Sequence, residues 1–93
     1  MEFRRELKRR CDSEFLSLKS RFRPKPAKKG SIRSVQNSLD AFGKLTEATN
    51  QMVLNIANEL YPGTSISKEK ATEIARDLMR DYLRQIKSNS GFK

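Results

Sequence analysis

The sequence predicts an all-helical fold: a basic N-terminal helix, a Pro/Lys-rich linker, and an antiparallel helical hairpin that dimerises. Three observations predict it. Apolar residues recur at spacings of three and four along three stretches, no stretch alternates with period two, and Pro24, Pro26 and Pro62 all fall between the stretches. The corresponding segments are a basic arm over 1–22, a linker over 23–30 and a hairpin domain over 31–93.

The first stretch runs from Glu2 to about Phe22, with Phe3, Leu7, Cys11, Phe15, Leu18 and Phe22 on one helical stripe. Arg4, Arg5, Lys8, Arg9 and Arg10 flank it, and Glu6 is placed to pair with Arg10 one turn on. Asp12-Ser13 offers a cap for a second, shorter helix, so a break near residue 12 is the alternative. From Arg23 to Gly30 two prolines remove amide donors and push the residues before them towards extended backbone. That composition makes a semi-rigid cationic spacer.

Ser31 or Ser34 caps the next helix, whose stripe holds Ile32, Val35, Leu39, Phe42, Leu45, Met52, Val53, Ile56 and Leu60. Gly43 and the polar run Thr46 to Gln51 weaken its middle, since Gly costs about 1 kcal/mol relative to Ala inside a helix. One long helix and two joined near 43–50 are equally compatible with the pattern. Tyr61-Pro62-Gly63 ends it. Ser67 caps the third helix, with Glu69 at its positive end and Ile66 poised to staple onto Ala71. Its stripe is Ala71, Ile74, Ala75, Leu78, Tyr82 and Ile86, widened by Met79 and Leu83, and Ser88-Asn89-Ser90-Gly91 ends it. On the outer face Glu73/Arg76, Asp77/Arg80 and Asp81/Arg84 sit three apart. No internal repeat is present.

Two helices cannot enclose a core, so the seam of the hairpin must be covered by the N-terminal helix, a second copy or another protein. Charge and the linker make the arm a poor lid, and the reading favours a homodimer. The dimer or core face is Leu39, Phe42, Val53, Ile56, Leu60, Ile74, Leu78, Tyr82 and Ile86. A chain of this size buries only about 60–65% of its unfolded surface, which also favours association.

Charge carries the functional reading. Residues 1–33 hold 12 of the 20 Lys and Arg against Glu2, Glu6, Asp12 and Glu14, a net +8 out of +9 for the chain. Such asymmetry points to a polyanionic partner. The expected function is binding of DNA or RNA, largely by phosphate-backbone contacts with low sequence specificity. The candidate contacts are Arg4, Arg5, Lys8, Arg9, Arg10, Lys19, Arg21, Arg23, Lys25, Lys28, Lys29 and Arg33. Phe3, Phe15 and Phe22, interleaved with them, are either base-stacking platforms or core. The alternative is a helical assembly or adaptor protein whose arm meets an acidic protein partner, of viral or mobile-element origin.

Other classes find less support. A basic amphipathic helix also suits an anionic membrane surface, but Trp is absent and Asp12 and Glu14 interrupt the arm. No apolar run reaches the ~18–20 residues of a membrane span, and charges stand where a signal peptide carries its apolar core. The expected place is cytoplasmic, or nuclear or virion-associated for a eukaryotic or viral source. Lys8-Arg9-Arg10 followed by Lys25-Pro26-Ala27-Lys28-Lys29 has the spacing of a two-part nuclear import signal. With one cysteine and no histidine, neither a disulfide framework nor the usual zinc patterns are available, and no enzymatic activity, cofactor, metal or small-molecule substrate is expected. Arg9 and Arg10 could lower the Cys11 thiol pKa, although a packed cysteine is commoner. At Ser67-Lys68-Glu69-Lys70 a docked phosphate is the functional reading and a plain cap the commoner one.

Leu60-Tyr61-Pro62-Gly63-Thr64-Ser65-Ile66-Ser67 and the helix after it resemble the first loop and long central helix of a core histone, over roughly a third of the chain. The resemblance implies that this loop and helix start meet DNA backbone and that subunits pair in a handshake. The chain departs from that family at Glu73, Asp77 and Asp81, where the family carries apolar residues, and no third helix follows.

Overall fold

Helix α1 spans Phe3–Arg21, α2 spans Ile32–Leu60 and α3 spans Lys68–Asn89, with a 3-10 turn at Tyr61–Gly63 between the last two. They come from a computed structural model that describes residues 2–23 and 27–89. Every regular element among the described residues is helical.

Local chemistry sets most of the ends. The Ser31 Oγ accepts from the Ser34 amide at 3.1 Å, so Ser31 is the cap of α2. The Ser67 Oγ likewise accepts from the Lys70 amide at 3.1 Å. Gly30 takes a φ of +82°, a left-handed conformation that side chains disfavour, and it turns the chain into α2. At the other end of α2, Pro62 enters the 3-10 turn and Thr64 returns to extended backbone.

Two local uncertainties resolve towards continuity. α1 passes Asp12-Ser13 without a break, because Cys11 and Phe15 on either side are both buried in one stripe. α2 is one helix of 29 residues that runs through Gly43. The ~1 kcal/mol Gly penalty is outweighed there by burial of Ala41, Leu45, Thr49 and Met52.

The seam of the α2–α3 hairpin is closed from within the chain. Phe3, Leu7, Cys11 and Phe15 of α1 enter the same core cluster as Val53, Ile56, Ile74, Leu78, Tyr82 and Ile86. Leu7 and Cys11 have no exposed surface at all. Arg4 and Lys8 border Ile74, Asp77 and Leu78, and Asp12 meets Tyr82, so α1 and α3 run in the same sense. The arm is therefore the lid that the sequence reading left to a second copy. Its stripe is more apolar than its charge suggests, and the linker is long enough to fold it back. The bundle is elongated, 52 × 20 × 15 Å.

The predicted core face holds with one correction. Val53, Ile56, Ile74, Leu78, Tyr82 and Ile86 are buried, and Phe42 and Leu60 are half-buried against them. Leu39 is 52% exposed, because neither α1 nor α3 covers that part of α2.

Candidate polyanion-binding surface

Of the five cations of the first α1 turns, Arg5 and Arg9 point away from the buried stripe while Arg4, Lys8 and Arg10 flank it, and four of the five are held by carboxylates. Arg5 Nε lies 3.4 Å from Glu2, Lys8 Nζ 2.9 Å from Asp12 and Arg10 2.9 Å from Glu59 of α2. Arg9 bonds Glu6 through both its Nε, at 3.2 Å, and its terminal nitrogen. The Arg9 hydrogen bond holds the Glu6 carboxyl below its ordinary pKa. Glu6 thus pairs with Arg9, while Arg10 reaches across to α2 instead. Exposed pairs of this kind are worth little and rearrange readily. Each nonetheless presents a carboxylate beside the cation, and residues 1–14 carry five cations against four acids.

The aromatic residues of the arm are not available to stack on bases. Phe3 and Phe15 are 3% exposed, and Phe22 packs on the core. The Phe15 ring lies against Tyr82 with centroids 4.5 Å apart, and Lys19 Nζ sits 5.1 Å above its centre. The core reading of these side chains is the one the structure bears out.

Net charge is concentrated elsewhere. Between Glu14 and Asp40 there is no acid, while Lys19, Arg21, Arg23, Lys25, Lys28, Lys29 and Arg33 fall in that interval. Residues 40–93 carry eight cations against seven acids, so residues 15–39 account for +7 of the chain's +9. Arg21 ends α1, Arg23, Lys28 and Lys29 follow it in the linker, and Arg33 lies in the first turn of α2; all five are exposed. Among the described residues none of them forms an ion pair. Lys25 lies outside the described residues. The positive end of the α2 dipole adds to the same potential, since its first turn has no acid. The absence of Asp and Glu from this interval is legible in the sequence, but counting charge over residues 1–33 as a block obscures it.

The remaining candidate positions are structural. At the start of α3 the Lys70 amide is already taken by Ser67, which fits the cap rather than a docked phosphate. Burial, reinforced by Asp12, pushes the Cys11 thiol up to about 11, so Arg9 and Arg10 do not activate it. On α3 the pairs are Lys70–Glu73, Arg80–Asp77 and Arg84–Asp81, at 3.8–4.0 Å. Among the described residues Arg76 forms no ion pair. Among the described residues no helix is long and apolar enough to cross a membrane. No protein-family model, curated protein or solved structure matches the chain.

Proposed function

We propose that the protein binds nucleic acid through the phosphate backbone, using the acid-free interval from Lys19 to Arg33 as its principal contact. The carrying observation is that +7 of the net charge lies on residues 15–39, where Arg21, Arg23, Lys28, Lys29 and Arg33 are exposed and, among the described residues, have no carboxylate partner. Such cations neutralise phosphates and release condensed counterions, a gain that does not depend on base sequence. Arg5, Lys8, Arg9 and Arg10 gain less, because each must exchange a carboxylate for a phosphate. The three-helix bundle then serves as a rigid mount that holds α1 and α2 at the two ends of the cationic segment.

The test compares two variants of the full chain by fluorescence anisotropy on an arbitrary labelled duplex and an arbitrary single strand. Neutralising Arg21, Arg23, Lys28, Lys29 and Arg33 to Gln weakens binding by more than about tenfold at low salt. A charge-conserving variant, Glu2→Gln, Arg5→Gln, Glu6→Gln and Arg9→Gln, binds like the intact chain. Equal binding by the first variant and the intact chain overturns the proposal.

A further inference from the structure

The stripe that α2 buries along most of its length continues, bare, past the end of the bundle. From Ala41 onward it is covered, with Ala41 8% and Leu45 9% exposed, while Ile32, Val35 and Leu39 before it are 80%, 53% and 52% exposed. These three lie at i, i+3 and i+7 and so share one face. They occupy the first turns of a helix that has no tertiary cover there. The same turns carry Arg33 and follow directly on Lys28 and Lys29.

We infer that this end of α2 is a docking surface for an acidic amphipathic helix of a protein partner, with apolar residues on Ile32, Val35 and Leu39 and carboxylates on Arg33, Lys28 and Lys29. Charge complementarity selects the occupant. Nucleic acid supplies the negative charge but no aliphatic face. A second copy supplies the aliphatic face but brings the same acid-free +7 interval against the first, so like charges meet. Three aliphatic side chains also fall well short of the ~800 Å² per partner of a stable dimer. A bilayer surface is disfavoured because Ile32 to Leu39 includes no aromatic anchor. A helix laid along an apolar stripe with a charged rim matches both the size and the chemistry of the patch.

This inference is independent of nucleic-acid binding, although it uses three of the same cations, so the two ligands exclude one another. The probe is a synthetic amphipathic helix with Leu at i, i+3 and i+7 flanked by Glu, titrated against the full chain by isothermal calorimetry. Its control is a scrambled peptide of identical composition with no apolar face. The intact chain binds the helical peptide at least about tenfold more tightly than the scramble, a difference of one decade in Kd. Val35→Ser with Leu39→Ser removes that preference and leaves helix content, thermal midpoint and nucleic-acid affinity unchanged, because both residues are half exposed. The inference is overturned if the scramble binds equally, which reduces the effect to charge, or if the double variant binds the helical peptide as well as the intact chain does. It is equally overturned if the double variant abolishes a concentration-dependent dimer of the intact chain, or its adsorption to vesicles of mixed zwitterionic and anionic lipid, while the peptide shows no preference. Loss of nucleic-acid binding in the five-Gln variant bears on the preceding proposal alone, and retention of the peptide preference in a chain that binds no nucleic acid separates the two.

Discussion

The Tyr82 hydroxyl donates to Asp12 Oδ1 at 2.6 Å, joining α3 to α1 across 70 residues of sequence. Tyr82 is 1% exposed and its ring rests on Phe15, so the phenol is clamped by packing while its oxygen finds a carboxylate on the neighbouring helix. The other oxygen of Asp12 accepts from Lys8 at 2.9 Å. Burial works to raise the Asp12 pKa, but the Tyr82 and Lys8 hydrogen bonds outweigh it and hold the carboxyl below its ordinary value. Burial and the same hydrogen bond push the Tyr82 phenol upward.

Replacing Tyr82 with Phe therefore costs about 1.5–3 kcal/mol in urea unfolding, the typical worth of a hydrogen bond to a charged group. The pH dependence has a defined sign. A depressed folded carboxyl pKa contributes stability above the ordinary carboxylate range, and that contribution is lost as pH falls through the folded value. A raised phenol pKa contributes stability below its ordinary 10.0, and this is lost as pH rises beyond it. The intact chain thus loses stability at both extremes, and Tyr82→Phe flattens both limbs. Parallel pH profiles for the two proteins would show that the pair does not couple the helices.

Because α1 is part of the core, truncating its buried side chains destabilises the whole bundle. Leu7→Ala removes a fully buried residue and costs about 2–5 kcal/mol. A chain lacking residues 1–22 loses cooperative unfolding, as the seam lined by Val53, Ile56 and Tyr82 opens to water. A well-folded monomeric 23–93 segment in sedimentation and thermal melts would refute this.

The three helices, the caps at Ser31 and Ser67 and the stop at Tyr61-Pro62-Gly63 were legible because each depends on local chemistry. Where α1 goes was not. Periodicity shows that Phe3, Leu7, Cys11 and Phe15 form a face, but not what that face meets, and the Tyr82–Asp12 and Arg10–Glu59 contacts join residues 70 and 49 apart. Leu39 shows the converse limit. It belongs to the same stripe as Phe42, yet its exposure is decided by where the neighbouring helices end. The candidate surface was legible in its cations and obscured in its acids, since only the structure shows that the Arg5 to Arg10 cluster is matched by Glu2, Glu6, Asp12 and Glu59.

Thr49 is 1% exposed on α2, and its hydroxyl has no hydrogen-bond partner among the described residues. Thr49→Val keeps the branched shape and removes a desolvated polar atom. It stabilises the chain by about 1 kcal/mol, read as a higher urea midpoint at unchanged slope. A loss of stability would mean that the hydroxyl is satisfied in the folded protein.

Cys11 is buried, and its thiol pKa of about 11 leaves little thiolate at neutral pH. A disulfide reagent should modify it at the rate of global unfolding in the native protein and rapidly in urea. Fast modification without denaturant would show that α1 opens locally from the bundle.

Salt dependence tests the phosphate-binding proposal most directly. If Arg21, Arg23, Lys25, Lys28, Lys29 and Arg33 each neutralise one phosphate, the logarithm of the duplex binding constant falls against the logarithm of salt with a slope of about −5, and with a single strand of about −4. Substituting Lys28 and Lys29 with Gln flattens the duplex slope by about 2, because two contacts are lost. Unrelated sequences give the same slopes and similar affinities. Since Phe3 and Phe15 are 3% exposed and hold the core, single strands gain no stacking advantage over duplex. A strong single-strand preference at high salt, where the electrostatic contribution is suppressed, would place the contacts on a surface other than the acid-free interval. A duplex slope near zero would remove phosphate binding from the function of this chain.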